Sequence, residues 1–298
     1  MVRTKGDLCG LTVRSETEYG VIGTGASEYA GTTLTLSDSG EATTEGVAQC
    51  GSRVDADTIV TSISAGYSAT FNHVRGQGWE DWITRAVGAL TGVQREIPSF
   101  DTAVRVDPQT VHLWTGCMVN SFGMSAASIG AKVEFSVTTV ARWHTMTPFE
   151  DSDGTELTMD TVAIPSGAPI TYNGLWEYST NGSDFSKIPA KTFSLSISNN
   201  LVSDPGVSSE DGTGYGLDAG GGSAAQDCTI TLDLTITSKD STWDALRMAL
   251  TKGMTFRITI DGKVLTLTGC TLGLAGPDRS QGQYDETISV TALDLTVV

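Results

Sequence analysis

Val111-His-Leu-Trp-Thr-Gly-Cys117 and Val264-Leu-Thr-Leu-Thr-Gly-Cys270 end on the same Thr-Gly-Cys triplet at an offset of 153 residues (268 minus 115). The offset recurs downstream: Ser136-Val137-Thr138 and Ser289-Val290-Thr291 also stand 153 apart (289 minus 136), so the two final strands align without a gap. Self-similarity at a fixed spacing is the signature of one unit used twice. In each copy the alternation is expected to slip phase at the same place, after Val137 and before Val140 in one and after Val290 and before Leu293 in the other, as a β-bulge would produce.

Working outward, Phe193, Leu195 and Ile197 alternate with Ser194, Ser196 and Ser198, the period of a strand with one buried face. Cys228-Thr-Ile-Thr-Leu-Asp-Leu-Thr-Ile-Thr237 repeats that alternation over a longer run. The period then changes, with Trp243, Leu246 and Leu250 at helical spacing, an N-cap available from Asp240, Ser241 or Thr242, and Gly253 at the helix end. Met254, Phe256, Ile258 and Ile260 return to alternation, and Asp261-Gly262 predicts a type I′ hairpin turn into the run from Val264. The first half follows the same order: a strand from Gly66 to Val74, a helix from Gly78 to Leu90 carrying Trp79, Trp82 and Ala86, then the run from Val111. Trp79, Trp82, Trp243 and Leu246 are therefore expected to pack each helix on its sheet.

This predicts a mainly β chain of two tandem β-sandwich or half-barrel units, each with one short flanking helix, over residues 1–148 and 149–298. The polar stretch Thr145–Gly154, punctuated by Pro148, reads as the linker between them. A long Gly-rich, acidic loop runs from Val202 to Gly222 and contains Asp204, Glu210, Asp211 and Asp218; loops of this length usually serve contacts.

The length of 298 residues suits two domains, and 39 % hydrophobic residues, 18 % charged residues and 34 Gly describe a strand-rich globular chain. Formal net charge is −17, with 10 positive and 16 negative groups in residues 1–150 and 8 and 19 in residues 151–298. That excess argues against a protein that holds nucleic-acid phosphates. No segment approaches a membrane span, and the start at Met1–Cys9 lacks the apolar core of a signal peptide, so the chain is expected to stay where it is made. Five widely spaced cysteines, at 9, 50, 117, 228 and 270, fit reduced thiols better than a disulfide framework or zinc site.

No catalytic constellation emerges. His73, His112 and His144 are scattered, without a motif around them, and no paired Cys or His spacing suggests a metal. Gly20-Val-Ile-Gly23-Thr-Gly25 lacks the third glycine and flanking elements of a dinucleotide loop, and Gly214–Gly222 is a single calcium-repeat fragment without stacked neighbours. Glu80 and Asp81 could suggest a glycosidase pair, but at a helix start they complement its positive end. The expectation is a non-enzyme without cofactor or metal.

A strand, a short helix opening with Trp, a hairpin and a long terminal strand, occurring twice, resembles phage tail-tube proteins. So do Gly222-Ser-Ala-Ala-Gln-Asp-Cys-Thr-Ile-Thr-Leu-Asp-Leu234, Thr115-Gly-Cys-Met-Val-Asn-Ser-Phe-Gly-Met-Ser-Ala126 and Thr192-Phe-Ser-Leu-Ser-Ile-Ser-Asn199. The resemblance covers the chain from about residue 30 onward and points to long-tailed, non-contractile phages. It implies a virion tail protein, assembled in the host cytoplasm, that polymerises into stacked rings. Six units per ring would come from three chains with two units each, or from six chains with one unit of each outside. It further implies partners among the tape measure, baseplate or tip, and terminator proteins, with viral DNA passing through an acidic channel without specific binding and no membrane involved. Asp204, Glu210, Asp211 and Asp218 become candidates for contacts between rings. The alternative reading is a two-domain β-sandwich adhesin or carbohydrate-binding virion protein.

Overall fold

The computed structural model describes residues 10–17, 19–20, 23, 26–38, 41–47, 57–91, 94–105, 110–148, 165–201, 228–237, 245–246, 252–273 and 285–298. The first half supplies β1 (Gly10–Ser15), β2 (Glu28–Asp38), β3 (Glu41–Val47), β4 (Asp57–Ser64), β5 (Tyr67–Asn72), helix α1 (Asp81–Val87), β6 (Ala89–Thr91), β7 (Gln94–Glu96), β8 (Phe100–Arg105), β9 (Thr110–Ala126), β10 (Glu134–Val140) and β11 (Trp143–Pro148). The second half supplies β12 (Leu175–Ser179), β13 (Ser186–Ser198), β14 (Thr229–Thr237), β15 (Lys252–Ile260), β16 (Lys263–Leu272), β17 (Asp285–Ala292) and β18 (Asp294–Val297). The chain is mainly β, and no helix among the described residues is long and apolar enough to cross a membrane.

The strands close two six-membered antiparallel rings. One runs β10-β5-β2-β1-β8-β9 and back to β10; the other runs β13-β12-β15-β16-β17-β14 and back to β13. The half-barrel expected of each unit is thus a closed barrel, which leaves fewer unpaired backbone groups at its edges. Every pairing in the first ring has a counterpart in the second, with β1, β2, β5, β8, β9 and β10 matching β12, β13, β14, β15, β16 and β17. Even the strands outside the rings correspond, since β11 pairs with β9 and β18 with β16. The hairpins β3–β4 and β6–β7 have no described counterpart.

Thr-Gly-Cys acquires a physical meaning in this register. Phe100 pairs with Cys117 and Thr102 with Trp114, skipping Thr115-Gly116; Met254 pairs with Cys270 and Phe256 with Leu267, skipping Thr268-Gly269. Both triplets are bulges whose glycine has positive φ, +69° at Gly116 and +66° at Gly269, a region that Cβ-bearing residues avoid. Each bulge turns its cysteine fully into the core.

The expected phase slip is corrected. In β10 the buried positions are Phe135, Val137 and Thr139, continuing to Ala141 without a slip, and the register shift falls instead on β9, where Asn120 is skipped. In the second barrel Ile288, Val290 and Ala292 are buried in unbroken alternation, and Leu293 lies outside at 79 % exposure. The turn at Asp261-Gly262 has φ of +50° and +80°, the two positive values that a type I′ turn demands. Helix α1 starts at Asp81, with Trp79 in the turn before it. The expected linker is shorter than read, because its first part, through Pro148, is strand β11. Residues 165–174 instead form a strap on the first barrel, with Ile170 N donating to His73 O at 3.0 Å and Val133 N donating to Ile170 O at 2.9 Å.

One core runs through both barrels. In the first it is aromatic, with Trp82 against Phe71, Phe100 and Phe122, and Phe135 against Phe71 and Trp79. In the second, Ile230, Leu232, Leu234 and Ile236 of β14 face Ile288, Val290 and Ala292 of β17.

Candidate assembly interface and channel face

The barrels are joined edge to edge. Residues Ser121–Ala126 of β9 pair antiparallel with Phe193–Ser198 of β13, so the sheet crosses from one barrel into the next without interruption. Met124 opposite Leu195 and Phe122 opposite Ile197 continue the core across this junction. Asn199, fully buried at the end of β13, donates from Nδ2 to Ala86 O of the helix at 2.7 Å and to Val119 O at 2.8 Å. A second tie lies at the β15–β16 turn, where Gly76 N donates to Asp261 Oδ2 at 2.6 Å and Lys263 Nζ meets Glu80 Oε1 at 3.0 Å.

The junction produces a sheet of eight strands, β2-β5-β10-β9-β13-β14-β17-β16. Following the register across it, Thr35, Thr70, Ser136, Gly123, Ser196, Thr231, Thr291 and Thr271 stand in one row. A parallel row holds Ser37, Ser68, Thr138, Ser121, Ser198 and Thr229, and another holds Asn72, Glu134, Ser125, Ser194, Asp233 and Ser289. All of these positions are exposed or half-buried. The row behind them, Phe71, Phe135, Met124, Leu195, Leu232, Val290 and Leu272, is buried. Period-2 alternation in eight strands therefore builds one continuous face of hydroxyls backed by one continuous core. Hydroxyl pairs tie neighbours together, Thr35 to Thr70 at 2.6 Å and Ser68 to Thr138 at 3.2 Å, and Ser289 Oγ donates to Asp233 at 2.6 Å. Glu134, Asp233 and Asp285 add negative charge, and Lys191 is paired with Asp285.

The outer side of β2 is the counterpart of the junction. On β13 the side facing away from β14 holds β12 and then β9. On β2 the side facing away from β5 holds β1 at Glu28–Thr32, and among the described strands none continues along Thr33–Ser37. Leu34 in this stretch is 48 % exposed.

Trp79 and Trp82 are buried, and Trp82 Nε1 donates to Ala30 O at 2.7 Å. Leu246 is half-buried against the core in a helical position, whereas Trp243 lies outside the described residues. Asp204, Glu210, Asp211 and Asp218 also lie outside them. His73 is buried between Tyr29 and Phe135, and burial lowers its pKa. His112 and His144 are not scattered: β9–β11 pairing stacks them, with Nδ1 to Nε2 at 3.0 Å, against Trp114, while His144 Nδ1 meets Asp38 at 3.1 Å. Burial lowers the His144 pKa, Asp38 opposes that shift and His112 reinforces it. Burial pushes the Cys270 thiol up to about 12 and that of Cys117 well up too; both are free and inert. Among the described residues no group of three or more His, Cys, Asp or Glu is arranged to hold a metal ion.

Among the described residues, two closed barrels fused through a shared sheet present one continuous hydroxyl face and a stretch of β2, Thr33–Ser37, beside which no described strand runs, the build of a β-rich structural protein. A family model described as phage tail tube protein matches residues 6–296, and the chain belongs to that family. It is a structural component of the virion tail that self-assembles into a tube with other tail proteins. A search of curated proteins returns no match.

Proposed function

We propose that the chain forms stacked rings of three copies, each copy contributing two barrels descended from one duplicated unit, and that the hydroxyl face lines the channel through which DNA leaves the virion. The carrying observation is the eight-strand sheet that passes through the β9–β13 junction with one amphipathic pattern throughout. The matched pairings and matched Thr-Gly-Cys bulges support duplication, with a unit boundary between β11 and β12. In this reading the internal junction is repeated between chains: β2 is the counterpart of β13, and the open stretch Thr33–Ser37 of one copy pairs with the second barrel of the next. Three copies of eight strands close a barrel of 24, whose backbone diameter is roughly 40–50 Å at ordinary strand spacing and tilt, wide enough to pass duplex DNA.

The channel chemistry follows from the face. Serine and threonine give DNA a wetted, uncharged surface, and Glu134 and Asp233 repel phosphate, Asp285 being neutralised by Lys191. This refines the acidic channel into a hydroxyl channel with sparse carboxylates. Leu34→Lys tests the ring: a charge on the open edge blocks strand addition while leaving each barrel paired. Light scattering should report unassembled chains with an unchanged melting profile; tubes of normal length would refute the proposed edge.

A further inference from the structure

Where β1 ends, Glu16 and Asp101 bring two carboxyl groups side by side. Asp101 is fully buried; its Oδ2 accepts from Gly23 N at 2.7 Å and from Arg14 Nη2 at 3.3 Å, while its buried Oδ1 receives no donor. Glu16 accepts from Gly116 N at 2.6 Å through Oε1 and from Gly20 N at 2.9 Å through Oε2, and Ser99 adds a further bond. These backbone contacts are all N–H donors, so the site favours negative charge and offers a cation nothing beyond the carboxylates themselves. The Arg14 guanidinium is paired with Asp101. Two like charges in contact away from water do not both ionise, and the oxygen without a donor marks where the retained proton points.

We propose that Glu16 keeps a proton against the buried Asp101 carboxyl and acts as an alkali-released latch, which holds Gly20 against the Thr-Gly-Cys bulge of β9 and loosens when the proton leaves. Through Gly20 and Gly116 the Glu16 side chain clasps both segments, so its repulsion from Asp101 is transmitted to both. The other groups facing the pair are Arg14 on β1, the buried Cys117 thiol on β9, and Arg142 after β10, whose Nη1 donates to Tyr19 O at 3.3 Å. The second barrel has no such latch, for the positions matching Arg14 and Asp101 in the strand register are Ser179 and Thr255. The latch does not depend on the ring reading.

Burial, with Asp101 beside it, pushes the Glu16 carboxyl up from 4.5 to about 7. The folded chain therefore keeps this proton longer than the unfolded one: the stabilisation is complete below pH 4.5 and is lost as pH rises to about 7. The test is a carbon NMR titration of the Glu16 carboxyl in the full chain, combined with exchange protection of the Gly20, Gly23 and Gly116 amides, corrected for intrinsic rate, on either side of that midpoint. The expected result is a midpoint near 7, with about tenfold loss of protection at these amides above it. Gly269 should show none, and Glu16→Gln, neutral throughout, should abolish the loss. A carboxyl midpoint in the ordinary range near 4, read on the unmutated chain, would overturn the latch, as would an equal loss of protection in Glu16→Gln.

Discussion

The two barrels share a backbone plan and differ in what fills it. At register-matched positions the first has Tyr67, Phe71, Phe100, Trp114 and Phe135 where the second has Ile230, Leu234, Met254, Leu267 and Ile288. The exchange is reversed at one place, where Leu11 of β1 matches Trp176 of β12. Polar chemistry differs too: the first barrel closes its β1–β2 corner with Arg14, Asp101 and Glu16, while the second closes the matched corner with Ser179 and a turn in which Asn181 accepts from the Ser183 and Asp184 amides. What stays the same is the strand order, the hydroxyl face and the glycine bulge. Core side chains are exchangeable when volume is made up elsewhere, whereas a positive-φ glycine and a strand register have no substitute.

The comparison breaks most visibly at Trp82. Trp82→Ala removes the indole from three aromatic partners and orphans Ala30 O, and should cost about 3–5 kcal/mol in denaturant unfolding. A cost within the range of an ordinary surface change would mean that the first core is not organised around this ring. The bulge glycines sharpen the comparison. Gly116→Ala should cost about 2 kcal/mol or more, since a Cβ there would meet Arg142 Cβ at 2.7 Å in addition to the φ penalty. Gly269→Ala should cost somewhat less, because two of the three atoms a Cβ would meet, Cδ1 and Cγ of the exposed Leu293, can swing away and only Leu293 Cβ, at 2.9 Å, is fixed to the backbone. Equal melting shifts for the two would remove the distinction.

In the first barrel His73 contributes a loss of stability in acid that runs against the gain from Glu16. Burial depresses the His73 pKa below 6.5, so the folded chain disfavours its proton; this stabilisation is present above pH 6.5 and lost as pH falls toward the lowered value. His73→Phe should remove this acid-side loss, so that the variant loses less melting temperature than the unmutated chain between neutral pH and mild acid. The smallest effect on stability is expected on the channel face. Ser196→Lys should change unfolding by less than about 0.5 kcal/mol yet slow DNA release from assembled particles, because a cation in each ring would hold phosphate. Unchanged release would place the hydroxyl face away from the DNA.

Much of the fold was legible where short-range rules decide it. Asp261-Gly262 announced its turn, the strand from Thr229 to Thr237 alternated cleanly, and the offset between Thr115 and Thr268 exposed the matched halves. The alternation in sequence puts the phase slip before Val140 and Leu293, whereas Thr139 is the buried residue of β10 and the bulge belongs to the opposing strand. Other features depend on register between distant segments. Glu16 meets Gly116 across 100 residues and His112 meets His144 only because β11 folds back on β9. The hydroxyl row was visible strand by strand as Ser and Thr alternation, but its alignment across eight strands needed the pairing itself. Asn199 carried no distinguishing signal beyond standing at the end of an alternating run, and its role arises from the carbonyls it finds there.

Electron cryomicroscopy of tubes grown from the purified chain tests the central claim most directly. Three chains per ring are expected, with Thr33–Ser37 of each paired to the second barrel of the next, and Thr35, Ser136, Ser196 and Thr291 facing the bore. Six chains per ring with one barrel of each outside, or a bore lined by any other face, would contradict it.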